Sequence, residues 1–153
     1  MDWLTHKVIR ELLDGPFPCC LTSLSPTGAP HSVVIWCTRE DDVITVNAGE
    51  RALWFKNIRR DPRVSLVVVD TTDILRYVEM RGRVVAIRDD VGLAHMSRQA
   101  QLYDRTENYA WESPAEVRRF VVTVELDHVR LYAPIPPPAV VLARQGVSRR
   151  GET

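Results

Sequence analysis

Lysine is nearly missing from this 153-residue chain: Lys7 and Lys56 are the only two among 20 basic residues, and the other eighteen are arginines. That bias fits a GC-rich coding sequence better than a function. Cysteine is scarce and odd in number. Cys19, Cys20 and Cys37 form no CxxC pair and no Cys/His cluster of ligand spacing, which argues against a metal site and a disulfide framework. Reduced core thiols in a cytosolic protein are the expectation. Net charge is absent as well, because 20 acidic residues balance the 20 basic ones, so a charge-driven nucleic-acid partner is not expected. No stretch approaches the ~20 apolar residues of a membrane span. The first twenty residues mix charges into their apolar positions, so the sequence predicts neither a signal peptide nor an anchor, and a cytoplasmic location.

What is present is an ordinary globular composition, 45% hydrophobic and 26% charged, which argues against disorder. At this length a chain buries roughly 70% of its unfolded surface, enough for one domain with a full core. The division expected is a domain over 1–133 and a Pro-rich, extended and partly mobile tail over 134–153.

Leu4, Val8, Ile9, Leu12 and Leu13 lie at helical spacing, and Gly15-Pro16 supplies a stop, so residues 3–13 read as a short amphipathic helix. Three β-rich runs follow, PCCLTSLS, PHSVVIWCT and DVITVNA, separated by Pro26-Thr27-Gly28 and by the polar residues 39–42. Residues 49–60 switch to helical period and end at Asp61-Pro62. RVSLVVVD, at 63–70, reads as a strand buried on both faces, and residues 74–87 as a long half-exposed strand in which Gly82 marks a bulge or bend. A helix over 89–103, a polar loop over 104–115 and one or two closing strands complete the domain. Six antiparallel strands with turns at short intervals suggest a mainly β fold, a small barrel with flanking helices, since closure removes exposed strand edges.

The order of LTSLSPTGAPHSVVIW, VITVNA, NIRRDPRVSLVVVD and RYVEMRGRVV resembles the FMN-binding split barrel family, which includes pyridoxamine 5'-phosphate oxidase and the flavin/deazaflavin oxidoreductases. The resemblance covers about residues 15–132. Within it, RYVEMRGRVV and NIRRDPRVSL look most like the branch that uses the 5-deazaflavin coenzyme F420. It implies a six-stranded split β-barrel, a homodimer with two cofactors at the subunit interface, and hydride transfer from reduced F420 to an electron-poor double bond of a small organic substrate. FMN is the alternative cofactor, in a reductase or oxidase of the same fold. A non-catalytic flavin or haem binder is the alternative of another class. The C-terminal tail lacks the Arg-containing pattern with which true pyridoxamine phosphate oxidases bind substrate.

The residues themselves allow a cofactor site. Val33, Val34, Ile35 and Trp36 at one strand end, facing Asn47 and Ala48 at another, offer apolar surface and backbone amides to a planar tricyclic ring. A helix starting near 49–51 would present free N–H groups to a phosphate, with Arg51, Lys56 and Asn57 on that side. Relatives commonly carry a phosphate-binding Lys where this chain has Trp54, and often an Arg where it has Ala52, so Arg51 and Lys56 would have to replace them. His31, Tyr109 and Trp111 are candidate substrate contacts. Trp36 and Trp54 either stack on a ligand or fill the core or the dimer interface. No nucleophile triad and no carboxylate pair is apparent, so any chemistry would be the cofactor's.

Overall fold

The computed structural model describes residues 2–103 and 117–134. Seven antiparallel strands form one sheet: β1 (Cys19–Leu24), β2 (Pro30–Ile35), β3 (Cys37–Glu40), β4 (Val43–Gly49), β5 (Arg63–Val69), β6 (Tyr77–Asp89) and β7 (Arg119–Tyr132), in the order β2-β1-β5-β6-β7-β4-β3. Three helices accompany it: α1 (Lys7–Asp14), α2 (Leu53–Arg60) and α3 (Ala94–Leu102).

The sheet corrects the expected six strands and closed barrel. PHSVVIWCT is two strands, not one, broken at Trp36. The cause lies in the partner strand. β2 pairs with β1 as far as Ile35 opposite Cys19, and beyond Cys19 the partner chain is Pro18, which has no N–H to give to a ladder. Past Trp36 the chain therefore joins β4 instead, with Cys37 opposite Val46. β2 and β3 are the two edges of the sheet and share no ladder. One residue links them, so the edges come within about 7 Å at that single corner. The result is an open sheet curled until its ends meet at Trp36.

Other boundaries shift by a few residues for equally local reasons. The N-terminal helix is a 3-10 turn, Trp3–Thr5, capped by Asp2, followed by α1. β4 stays paired with β7 out to Gly49 opposite Arg119, so α2 begins at Leu53 instead of 49–51 and Arg51 lies in the turn before it. β6 likewise runs on to Asp89, which delays the third helix to Ala94. β5 is not buried on both faces: Val64, Leu66 and Val68 are buried, whereas Ser65 and Val67 are half-buried. Gly82 does mark a bulge, since the β6–β7 register slips between Arg81 and Gly82. A Cβ on Gly82 would stand 2.1 Å from the Glu125 carbonyl oxygen, so only glycine admits this approach. The closing strands are one, β7. Tyr109, Trp111 and the tail beyond Pro134 lie outside the described residues.

α1 and α2 cover the inner face of the sheet, packing Ile9, Leu12, Leu13, Phe55 and Ile58 on Leu21, Val46, Leu66, Met80 and Val124. β4 is buried along both faces from Ile44 to Ala48. Ile44, Val46 and Ala48 join the core, while Thr45 and Asn47 point the other way, to α3. No helix among the described residues is long and apolar enough to cross a membrane.

Candidate functional site

A cleft of about 320 Å³ opens where β2 turns through Trp36 into β3. Its walls are Pro16 and Pro18 ahead of β1, Val34, Ile35 and Trp36, and Met96 and Gln99 of α3 with Tyr103 just after it, with Asn47 and Arg119 adding polar groups. The volume lies at the lower end of the roughly 300–1,000 Å³ usual for small-molecule sites, and the mix of apolar walls with few polar groups is also usual for them.

Tyr103 holds the corner together. Its ring stacks on Trp36 at 5.2 Å between centroids and 16° between planes. Its hydroxyl donates to the Phe17 carbonyl at 2.7 Å and accepts from the Cys37 backbone N–H at 3.3 Å, tying the end of α3 to both chain segments that meet there. Burial pushes the phenol well above its ordinary pKa, so it stays protonated. Beneath it, a hydrogen bond from Cys37 and then burial raise the Cys19 thiol, so this core cysteine is inert as a nucleophile.

Behind the cleft runs a buried polar chain. Asn47 donates from Nδ2 to Asp90 Oδ2 at 2.9 Å, and its Oδ1 accepts from Arg119 Nε at 2.7 Å. A carboxylate on one side and a guanidinium on the other allow only one amide orientation. Nδ2 therefore also donates to His95 Nδ1, 3.1 Å away, and His95 carries its proton on Nε2. That proton goes to Thr45 Oγ1 at 3.0 Å, and Thr45 in turn donates to Glu40 Oε1 at 3.2 Å. Burial pushes the His95 pKa down, against the pull of Asp90, so the ring is neutral. Burial would raise Asp90, yet the His95 and Met96 backbone N–H groups and the Asn47 amide together hold it below the usual carboxylate range. Gln99, on the cleft wall, donates to Thr38 Oγ1 at 3.1 Å.

The structure brings four of the sequence-predicted residues to this cleft: Val34, Ile35, Trp36 and Asn47. Val34 stands on its lip, 73% exposed. Val33 is half-buried and packs on the core, and Ala48 is wholly buried there. Arg51 and Lys56 are exposed at α2 and are not among the residues lining this cleft. Asn57 is buried, donating to Ser23 Oγ at 3.1 Å. Trp54 is core, 5% exposed and edge-on to Phe55, so the second of its two readings holds. His31 is half-buried on β2.

Sequence reading missed Asp90, His95, Met96, Gln99, Tyr103 and Arg119. A signal existed in His95, Gln99 and Tyr103, which recur every four residues and make a polar stripe on a helix that also has to cover a sheet. Among the described residues no group of His, Cys, Asp and Glu side chains could hold a metal ion.

Residues 5–133, over four-fifths of the chain, match the sequence family described as Pyridoxamine 5'-phosphate oxidase. No curated protein matches the chain. Among solved structures, an F420 reductase is similar with a TM-score of 0.72 and 23% identity, over 79% of this chain and 94% of that one. A protein of unknown function from Agrobacterium tumefaciens gives 0.68 and 20%, over 90% of this chain but only 60% of its own length. General Stress Protein 26 from Bacillus anthracis gives 0.61 and 19%, over 82% and 92%. These likenesses are likenesses of fold, and the match over residues 5–133 gives the assignment: the chain belongs to the pyridoxamine 5'-phosphate oxidase family.

Proposed function

We propose that the protein is an oxidoreductase that binds the deazaflavin coenzyme F420 at the Trp36 corner. The observation that carries this reading is the cleft itself, an apolar slot between β2 and α3 with Asn47 and Arg119 at its polar side, in a chain of a flavin-associated family. The similarity to an F420 reductase supports the choice of coenzyme.

The residues fit such a group. Pro16, Pro18, Ile35 and Met96 offer flat apolar surface, and the backbone of 33–36 and 47–48 runs beside it. Trp36 and Tyr103, locked face to face, keep that surface rigid. Arg51 in the turn before α2 and Lys56 on α2, both exposed, are the cations we assign to a phosphate, and Asn57 fixes the helix that carries Lys56 by its bond to Ser23. Reduced deazaflavin, when bound, would supply a hydride to an electron-poor double bond of a small organic substrate, whose second carbon takes a proton from solvent. The chain's own part is to bind, to orient and to exclude water. A two-fold dimer would cover the exposed lip at Val34 and complete the site from a second copy. A cytoplasmic enzyme follows from the same reading.

The test is a fluorescence titration with F420 and, in parallel, with FMN. Saturable micromolar binding of F420 is expected, with Arg51→Ala and Lys56→Ala each weakening it by about 1–3 kcal/mol, the worth of a hydrogen bond to a charged group. Preference for FMN makes this an FMN-dependent reductase or oxidase. The buried Trp54 at a usually basic position favours a second reading, a non-catalytic flavin or haem carrier, for which binding without turnover is the sign. Binding of neither coenzyme ends the enzyme reading.

A further inference from the structure

A second cleft, of about 380 Å³, lies over β5 and β6 on the face turned away from α1 and α2. Arg63, Arg81 and Arg83 line it, together with the hydroxyl residues Thr22 and Ser65. We propose that this cleft is a binding site for a multiply charged oxyanion, a phosphate ester or an oligocarboxylate, gripped by the guanidinium groups of Arg81 and Arg83.

The strand register assembles the site. Arg63 stands directly opposite Arg83, and Ser65 directly opposite both Arg81 on one side and Thr22 on the other. Side chains two apart on a strand share a face, so all five project into one space. Two arginines facing each other across a ladder repel. An anion between them turns that repulsion into attraction.

The carboxylates nearby orient the cluster without filling it. Asp61 takes Arg63 from both Nε and Nη2, at 3.0 and 2.7 Å. Glu79 lies 3.1 Å from Arg81 Nε, which leaves the two terminal nitrogens of Arg81 outside that contact. Arg83 forms no ion pair among the described residues, although Glu125 is its neighbour in the β7 register. His128 Nε2, a buried nitrogen on the cleft wall, stands 3.2 Å from Glu79 Oε2 without making a hydrogen bond. Asp127 is the one carboxylate lining the cleft. It is the extra residue that β7 inserts opposite Arg81 and Gly82, where a bulge re-aims side chains. Asp61 and Glu79 engage Arg63 and Arg81, which leaves Arg83 and the terminal nitrogens of Arg81 facing the single lining carboxylate Asp127, and the planar fork of arginine matches phosphate and carboxylate oxygens in pairs.

The same outer face is continuous with the first cleft. Val34 is opposite Cys20, Cys20 opposite Val67 and Val67 opposite Glu79, one row from Ser32, Thr22, Ser65 and Arg81. Three strand spacings, about 14 Å, separate the Val34 lip from β6. The oxyanion can therefore be a free species or the acidic tail of a ligand whose ring lies at Trp36. The second source rests on the function proposed above, and the first does not.

Calorimetric titration at low ionic strength with inorganic pyrophosphate and with tri-γ-glutamate tests the site directly. The wild type is expected to bind at least one of them saturably, with Arg81→Ala and Arg83→Ala each weakening it at least tenfold. Arg10→Ala, which removes an exposed arginine on α1, is expected to leave it unchanged. Absence of saturable binding, or equal weakening by Arg10→Ala, overturns the proposal. Arg81 and Arg83 are both exposed, and melting curves check that the variants fold. The source is read from F420 against its chromophore lacking the phosphate and acidic tail. An Arg83→Ala loss confined to the full coenzyme assigns the tail, and polyanion binding with both chromophores unaffected assigns a free anion. Polyanion binding to a protein that takes up neither chromophore refutes the coenzyme reading and leaves the oxyanion site standing.

Discussion

Arg119 donates from Nε to Asn47 Oδ1 across 2.7 Å, and this bond decides which nitrogen of His95 carries a proton. With Oδ1 committed to the guanidinium, Asn47 can present only its amide hydrogens to Asp90 and to His95 Nδ1. A second proton on His95 would set donor against donor. The cleft is thus backed by a neutral histidine whose tautomer is fixed from the neighbouring strand of the sheet, by a residue at the start of β7.

Stability is expected to fall as the pH drops below about 6.5, the ordinary histidine value. Folded His95 has a depressed pKa and stays neutral there, while the unfolded chain takes up the proton, so acid favours unfolding. Above that value the contribution of His95 is fully present. Asp90, also depressed, adds its own loss at lower pH, where unfolded carboxylates near 4 protonate first. Thermal melts between pH 8 and 5 check the first step: a falling midpoint in the wild type and a flatter profile in His95→Asn are expected. A flat wild-type profile contradicts the neutral, buried histidine.

Asn47→Leu removes the hub of the chain and strands Asp90 and His95 among buried neighbours. Each buried polar group left without a partner costs about 1–3 kcal/mol, so a total of a few kcal/mol is expected in denaturant unfolding. Asn47→Asp is a sharper probe. It places a second carboxylate beside Asp90, and its stability is expected to recover partly as the pH falls, opposite in sign to the wild type.

The parts of the fold legible in sequence are those set by local pattern. The period of Ile9, Leu12 and Leu13, the stop at Gly15-Pro16, the bulge at Gly82 and the end of α2 before Asp61-Pro62 all follow from neighbours in the chain. The break at Trp36 did not, because its cause is Pro18, the residue just ahead of the strand opposite. The first half of the site, Val34 to Trp36 with Asn47, was readable from strand ends, whereas its other wall comes from α3. The stripe of His95 and Gln99 marks a polar helix face, but only the burial of β4 on both faces gives it and Asp90 their partners. Arg119 lies 72 residues from Asn47, beyond the reach of any local signal.

Gly82→Ala is expected to be among the most damaging single-methyl additions in the chain. The new Cβ would meet the Glu125 carbonyl oxygen at 2.1 Å, and that atom belongs to a paired β7 backbone and not to a side chain that can swing aside. Overpacking costs typically 1–3 kcal/mol, and the upper end of that range is expected here. Because Gly82 also lies in the arginine cleft, the variant is expected to weaken polyanion binding even at temperatures where it remains folded. Chemical denaturation followed by tryptophan emission measures the first effect.

Trp54→Lys would place the basic residue that the family resemblance expects at that position, and it is expected to fail. Trp54 is 5% exposed and packs edge-on against Phe55, which itself stacks on Phe120 at 4.9 Å. Losing so large a side chain from a core costs about 3–5 kcal/mol, and an ammonium left there adds a desolvation cost. Helix α2 would have to turn for the lysine to reach solvent, against the anchors of Ile58 in the core and Asn57 on Ser23. A lower melting midpoint with no gain in F420 or FMN affinity is the expected outcome. A stable Trp54→Lys protein that binds either coenzyme more tightly would mean that α2 turns freely and that its tryptophan face is a site only provisionally filled.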